Sequence, residues 1–419
     1  MPINDIIQFD PDLAGAIFDE LALATRVGRG IVRDSYGAGE QAAHDILRRR
    51  AVAIGLECAV DAIGNLTMTL PGLDRAAPRI IIGSHLDSVP QGGNFDGAAG
   101  VVAGLCALSA LRSGGFVPRC DIAVMGIRAE ESAWFDIAYV GSAGALGLLD
   151  PDCLSVARAD TGLTLEATLA AQGFDPSAIR ERRHLIEPNS IRAYLELHIE
   201  QGPTLVNEGL PVAVVTGIRG CKRFRNARCV GAYAHSGAVA RPYRRDAVAA
   251  TVALLHQMEA VWLREEAAGA DLVLTSGEFY TDATMHGPSK IAGETRFVLD
   301  IRSTSDTTMN IVAAEARDAA ERIGRDYRVS FDLGTTSDSP PALMDTRLRA
   351  KIMGLLDAPF EMASGAGHDA AVFAQMGIPS AMIFIRNENG SHNPDEAMTL
   401  DDFGVATQTL ISLLVDFPI

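Results

Sequence analysis

Two periods of apolar and polar positions alternate along the chain. From Glu40 to Gly55, EQAAHDILRRRAVAIG carries its apolar residues at helical spacing, and the following ECAVDAIGNLTMTL alternates as a strand pair turning near Gly64 and Asn65. Beyond a loop from Pro71 to Pro78, RIIIGSHLD is a continuous apolar run ending in polar residues, the pattern of a strand buried on both faces. A glycine-rich loop leads into a predicted helix from about Gly97 to Arg112, and DIAVMGIRAEES is a second apolar strand ending in charge. Strand, polar tip, helix, strand, polar tip predicts a doubly wound α/β sheet, in which chemistry gathers outside the carboxyl ends of the strands.

Near Pro211 the pattern changes. VAVVTGIRG, KRFRNARCVGAYA, LVLTSGEFY, ETRFVLDIRS and YRVSFDLG read as strands, with helices from Asp246 to about Glu266 and from Thr307 to Ile323. This βαββαβ-like order lacks the earlier polar tips and predicts an inserted α+β domain. After SDSPP the α/β style returns with a helix, SGAGHDAAVFAQMG, the apolar strand SAMIFI, SHNPDEAM and a final helix. The main domain is therefore expected over residues 1–210 and 334–419, and the insert over 211–333.

A length of 419 residues supports this division, because one hydrophobic core rarely organises so long a chain. With 48% hydrophobic and 21% charged residues, the composition is that of a compact globular protein. The formal charge of −17 argues against general nucleic-acid binding, which needs clustered Lys and Arg. Six cysteines without a C-x-x-C pair are expected to be reduced thiols, and MPINDIIQFDPD lacks the features of a secretory signal, so a cytoplasmic location is expected. The longest small-apolar run, Ala98 to Leu111, falls short of the ~20 residues that span a bilayer, so no membrane partner is expected.

Candidate chemistry sits at the polar tips. His85 and Asp87 share a strand face, so Asp87 could hold the second ring nitrogen of a metal-bound His85, although H-x-D alone is common on surfaces. Asp96 opens a helix, where it is either an N-cap or a carboxylate bridging two cations. Glu130 and Glu131 repel each other unless protons or cations intervene; a metal site resolves this if Glu131 ligates and Glu130 takes a proton from water. His198 lies in the apolar run YLELHIEQGP and His392 in the turn-rich GSHNPDE; each alone could be an ordinary core or loop histidine. Together, three imidazoles and two carboxylates make a ligand set suited to Zn²⁺, Mn²⁺, Co²⁺ or Ni²⁺. No G-x-S-x-G elbow, P-loop or post-strand G-x-G-x-x-G competes for the chemistry.

The string HLDSVPQGGNFDGAAG, AEESAWF, ELHIEQGP, AYAHSGA, LDIRS, SGAGHDA and GSHNPDEAM resembles the amidase/hydantoinase/carbamoylase branch of the di-metal aminoacylase and carboxypeptidase superfamily. That branch includes N-carbamoyl-L-amino-acid hydrolases, β-ureidopropionases and allantoate amidohydrolases. The resemblance implies a catalytic α/β domain with a mixed sheet, interrupted by a smaller lid and dimerisation domain, and hence a homodimer. It implies two divalent ions held by His85, Asp96, Glu131, His198 and His392, with Asp96 bridging and Glu130 as general base.

It further implies that His235 polarises the scissile carbonyl, often in the partner subunit's site, and that Arg302 forks onto a substrate carboxylate. Gln201, Gly365 and Gly367 resemble additional substrate contacts, while His368 and Asp369 stay outside the ligand set. Relatives carry an asparagine in a P-N-x-x-N-like stretch where this chain has MHGPSKIAG; His286 or Ser289 is expected to take over that hydrogen bond. Arg219, Lys222, Arg223, Arg225 and Arg228 form a basic cluster that is either a solvated face or a lure for an anionic substrate.

The expected activity is hydrolysis of an N-carbamoyl amino acid, a small carboxylated ureido substrate. An allantoate- or ureidoglycolate-type amidohydrolase, or an amidase or peptidase on another small amide, is the alternative. A non-catalytic binding module on the same scaffold should have lost a ligand or the base, and all six positions are filled here.

Overall fold

The computed structural model describes residues 7–417; the first six residues, part of the segment expected to lack a secretory signal, lie outside the described range. The chain forms two compact units, one of Met1–Thr216 with Leu343–Ile419 and one of Gly217–Ala342. Among the described residues no helix is long and apolar enough to cross a membrane. All six cysteines are free.

In the first unit nine strands form one sheet: β1 (Glu57–Val60), β2 (Leu66–Leu70), β3 (Arg79–His85), β4 (Ile122–Ile127), β5 (Ile191–Ile199), β6 (Val212–Ile218), β7 (Ala342–Leu343), β8 (Glu361–Ser364) and β9 (Ser380–Ile385). Their order is β7-β6-β9-β5-β3-β4-β2-β1, with β8 also on β6. β3 pairs in parallel with β4 and β5, and β9 in parallel with β5, whereas β6 and the β1–β2 pair run antiparallel. The carboxyl ends of β3, β4, β5 and β9 therefore share one end of the sheet, so the polar tips that follow them meet there.

Burial explains the continuous apolar runs. Every residue of β4 and β9 is buried, as is all of β3 after Arg79. The Ala98–Ser113 helix is buried on all sides as far as Leu108, between the sheet and the Leu400–Val415 helix, as the absence of charge over that stretch requires. A helix at Pro11–Thr25 is not among the expected elements, although Asp10 caps it from the side chain and proline occupies its first position.

The end of β4 is anchored by a buried ion pair. Arg128 is 2% exposed, and its Nη1 lies 2.9 Å from Glu40 Oε2 on the Ala38–Ile54 helix. The other oxygen of Glu40 accepts the Ala129 N–H at 2.9 Å, immediately before Glu130. Replacing Arg128 by Met leaves Glu40 buried without its cation, and we expect a loss of about 3–5 kcal/mol of stability in denaturant unfolding. A loss below about 1 kcal/mol would show that the pair is not an anchor.

The second unit is a six-stranded sheet covered by the Ala247–Ala267 and Asp306–Tyr327 helices. Its inner face carries Phe224, Phe297, Leu299 and Ile301, packed with Leu254, Met258 and Val312. LVLTSGEFY, expected as one strand, is two, Val273–Thr275 and Phe279–Thr281; both pair with Glu294–Ser303, and Ser276 and Gly277 fall between them. The chain also stays in this unit past residue 333, because Thr336–Ser339 pairs with Gly220–Val230.

Candidate active site

At the shared carboxyl end of β3, β4, β5 and β9, a pocket of about 180 Å³ is lined by His85, Asp96, Glu130, Glu131, His198 and His392, together with Gln201, Tyr139 and Gly367. Four larger cavities, two in each unit, are lined by none of these residues. His85 is the last residue of β3 and His198 the penultimate residue of β5, so strand register sets both rings. Glu130 and Glu131 follow β4 through Ala129, which is held at φ 50°. His392 sits at φ 61° in the loop after β9.

Asp96 does not cap the helix it precedes. The cap position is Gly97, at φ 64°, and a Cβ there would meet the His85 ring at 2.5 Å, so only glycine admits the imidazole. Freed from capping, the Asp96 carboxylate is 3% exposed and faces three histidines. Its Oδ1 lies 3.2 Å from His198 Nε2 and 3.6 Å from His85 Nε2, and its Oδ2 lies 3.3 Å from His392 Nε2. His392 Nε2 is also 3.3 Å from Glu131 Oε1.

Two donor groups thus share Asp96: His85, Asp96 and His198 on one side, and Asp96, Glu131 and His392 on the other. These residues fit cations. His85 Nδ1 faces the Asp87 carbonyl oxygen at 3.0 Å and His198 Nδ1 the Ile199 carbonyl oxygen at 2.9 Å, so each Nδ1 carries the proton. Both Nε2 lone pairs then point inward, 3.5 Å apart, where the Gly97 N–H approaches only His198. Asp96 Oδ1 is buried without a hydrogen-bond partner, an arrangement that a bound cation would satisfy.

Asp87, fully buried, ties the two halves together. Its Oδ1 is 3.3 Å from His85 Nδ1 and accepts the Glu130 N–H at 3.0 Å; its Oδ2 accepts the Glu131 N–H at 3.2 Å and the Ser35 hydroxyl at 2.7 Å. Glu130 is 8% exposed. Burial, with the Glu131, Asp369 and Asp87 carboxylates adding to it and His85 opposing it, pushes the Glu130 carboxyl well above the usual carboxylate range.

Gln201 donates from Nε2 to Asp96 Oδ2 at 3.0 Å, which orients the carboxylate. Ala366 and Gly367 form the nearby wall; Gly365 does not. His368 binds Ser364 Oγ through Nε2 at 2.9 Å and sets its ring edge-on to His198, with centroids 4.4 Å apart. Asp369 accepts the Ser142 hydroxyl at 2.5 Å, and burial beside Glu196 pushes its carboxyl up to about 8.

Three supports had no sequence signal. Ser35 bonds Asp87, Ser391 Oγ lies 2.7 Å from Asp96 Oδ2, and Glu396 accepts the Phe95 N–H at 2.8 Å and the Asp96 N–H at 3.2 Å. Ser391 and Glu396 lie within the quoted GSHNPDEAM string, but their partners are some 300 positions away.

His235, His286, Ser289 and Arg302 belong to the second unit. His235 Nδ1 accepts the N–H groups of Gly237 and Ala238, both at 3.1 Å, so its proton resides on Nε2 and the ring is a donor. The strand that bears it pairs with Lys290 and Ile291, and the Ser236 N–H reaches the Ser289 carbonyl at 2.9 Å. His286 Nδ1 lies 2.9 Å from Thr281 Oγ1. Arg302 is ion-paired with Asp300 at 3.0 Å. Four members of the basic cluster are ion-paired within their own unit, Arg219 with Asp271, Lys222 with Asp338, Arg223 with Asp300 and Arg228 with Glu294, while Arg225 bonds Ser337. The cluster is thus mostly a paired face.

The sequence profile of peptidase family M20/M25/M40 matches residues 81–416. An N-carbamoyl-L-amino acid amidohydrolase of Geobacillus stearothermophilus is 32% identical over 390 residues, covering 91% of this chain and 92% of that protein. An allantoate amidohydrolase of Escherichia coli (strain K12) is likewise 32% identical, over 380 residues and 88% of each chain. A crystal structure of a hydantoinase/carbamoylase family amidase from Burkholderia ambifaria superposes with a TM-score of 0.88 at 28% identity, covering 99% of this chain and 97% of that one. The chain belongs to the M20/M25/M40 peptidase family, in its amidase/hydantoinase/carbamoylase branch, and is a hydrolase of carbon–nitrogen bonds.

Proposed function

We propose that this protein hydrolyses the ureido bond of N-carbamoyl amino acids, releasing the amino acid, carbon dioxide and ammonia. The observation that carries the reading is the Asp96 carboxylate shared by two donor groups, with its buried Oδ1 otherwise unpartnered. Likeness to an N-carbamoyl-L-amino acid amidohydrolase over most of both chains supports the substrate class.

In this reading His85, Asp96 and His198 would hold one divalent ion and Asp96, Glu131 and His392 a second. Ions bound there would supply Lewis-acid chemistry, polarising the scissile carbonyl and acidifying a water. Glu130 takes the proton of the attacking water and hands it to the departing nitrogen. Asp87 keeps the His85 ring and the 130–131 turn in fixed relation, so base and ligands move as one body. His235, in its Nε2–H form, supplies a hydrogen bond to the oxyanion, and Arg302 pairs with the substrate carboxylate. His286 or Ser289 takes over the hydrogen bond to the substrate that the resemblance assigns to an asparagine.

An allantoate-type substrate is the second reading, favoured by an equal 32% identity to an allantoate amidohydrolase. Ammonia release from N-carbamoyl-L-amino acids, allantoate, ureidoglycolate and dipeptides, with added Mn²⁺, Co²⁺, Ni²⁺ or Zn²⁺, decides between them. We expect an N-carbamoyl-L-amino acid to give the highest kcat/KM; a higher value for allantoate establishes the second reading instead. A chelator is expected to abolish turnover, and readdition of the divalent ion to restore it. Turnover that survives complete removal of metal contradicts the two-ion site.

A further inference from the structure

We propose that Tyr139 is a further catalytic residue, whose phenol donates a hydrogen bond to the carbonyl oxygen of the amide being cleaved. The inference rests on the reading of this pocket as the amide-cleaving site. Tyr139 lines the pocket beside Glu130, Glu131, His392 and Gly367.

Its backbone is tied to the base. The chain folds back so that the N–H groups of Tyr139, Val140 and Gly141 reach the carbonyls of Glu130, Ala129 and Arg128 at 2.9, 3.0 and 2.9 Å. Tyr139 adopts φ 62°, a left-handed conformation that is uncommon for a bulky aromatic residue. Such strain persists where the surroundings enforce it, and it gathers at functional sites. Gln201 and His392, at φ 62° and 61°, share both the conformation and the pocket.

The opposite wall is shaped around the phenol. A Cβ on Gly367 would lie 1.8 Å from the Tyr139 hydroxyl oxygen. Gly367 is not among the glycines with positive φ, so its backbone does not demand glycine; the space beside the hydroxyl does. The hydroxyl makes no hydrogen bond within the described residues, which leaves it available to a ligand.

The pocket otherwise presents mainly acceptors: the carboxylates of Asp96, Glu130 and Glu131 and the inward Nε2 atoms. A phenol, with an ordinary pKa near 10, remains a neutral donor through the working range. A carbonyl oxygen gains negative charge when water adds to it, so a donor fixed in the wall stabilises that stage more than the bound substrate.

Tyr139→Phe, assayed on whichever amide the wild type cleaves fastest, tests this directly. The expected result is a fall in kcat of about 10²-fold, with KM, metal content and unfolding midpoint unchanged. Gly367→Ala is expected to be damaging in the wild type, by displacing the phenol, and to add little in the Tyr139→Phe background. Wild-type kcat in Tyr139→Phe overturns the proposal, as does a loss of kcat that follows loss of metal. Equal cost of Gly367→Ala in both backgrounds also overturns it. Failure of the proposed function looks different, because a wild type inert toward every amide has no activity for Tyr139 to support.

Discussion

Glu130→Gln is expected to lower kcat by about 10²–10⁴-fold while the protein keeps its metal and its fold. The amide has the shape of the carboxylate but cannot accept a proton from water or deliver one to the leaving nitrogen. The Glu130 backbone N–H, not its side chain, bonds Asp87, so the turn that carries Glu131 is undisturbed. Relief of a buried carboxyl crowded by Glu131, Asp369 and Asp87 removes a repulsion, so stability should not fall. The check is kcat beside metal analysis and thermal unfolding of both proteins. A variant with near wild-type kcat removes Glu130 from the proton path.

Asp96→Asn is expected to lower turnover at least as far, by a different route. Both donor groups use this carboxylate, so its neutralisation weakens both together rather than one. The amide still fits beside Gln201 and Ser391, 3.0 Å and 2.7 Å from Oδ2, so the loss should appear in metal content before it appears in folding. Metal analysis after dialysis, with activity at rising metal concentration, separates the variants. Glu130→Gln should stay metal-replete and inactive, whereas Asp96→Asn should be metal-poor and partly recover at high metal concentration. Full metal content in Asp96→Asn would contradict the shared-ligand geometry.

Much of this site was legible because buried parallel strands are apolar until their last residue. A polar residue at such a tip has few structural reasons to be there, which singled out His85 and Glu130, whereas His198, in a run that also holds Glu196, read equally as an ordinary core histidine. Asp96 was ambiguous in the sequence, since a helix start favours a carboxylate for capping alone; the observed cap at Gly97 removes that explanation. Ser35, Ser391 and Glu396 act through partners some 50 to 300 positions away, a relation that spacing does not carry. Tyr139 depends on a left-handed φ and on the space left by Gly367, and neither has a periodic signature.

The fold shows the same division. Long strands with one burial pattern, such as Arg79–His85 and Glu294–Ser303, were read with nearly correct limits. Errors fell where a local break interrupts an apolar run, as at Ser276 and Gly277, or where a short polar strand finds a distant edge, as Thr336–Ser339 does on Gly220–Val230. The ion pairs of the basic cluster were illegible in the same way, because Asp338, Asp300 and Glu294 are neighbours only across the sheet.

The central claim is that one carboxylate, Asp96, holds two divalent ions. Anomalous diffraction from crystals grown with Mn²⁺ or Zn²⁺ tests it most directly. The account predicts two peaks, one among His85, Asp96 and His198 and the other among Asp96, Glu131 and His392. A single peak that does not touch Asp96, or none in crystals of active protein, would contradict it.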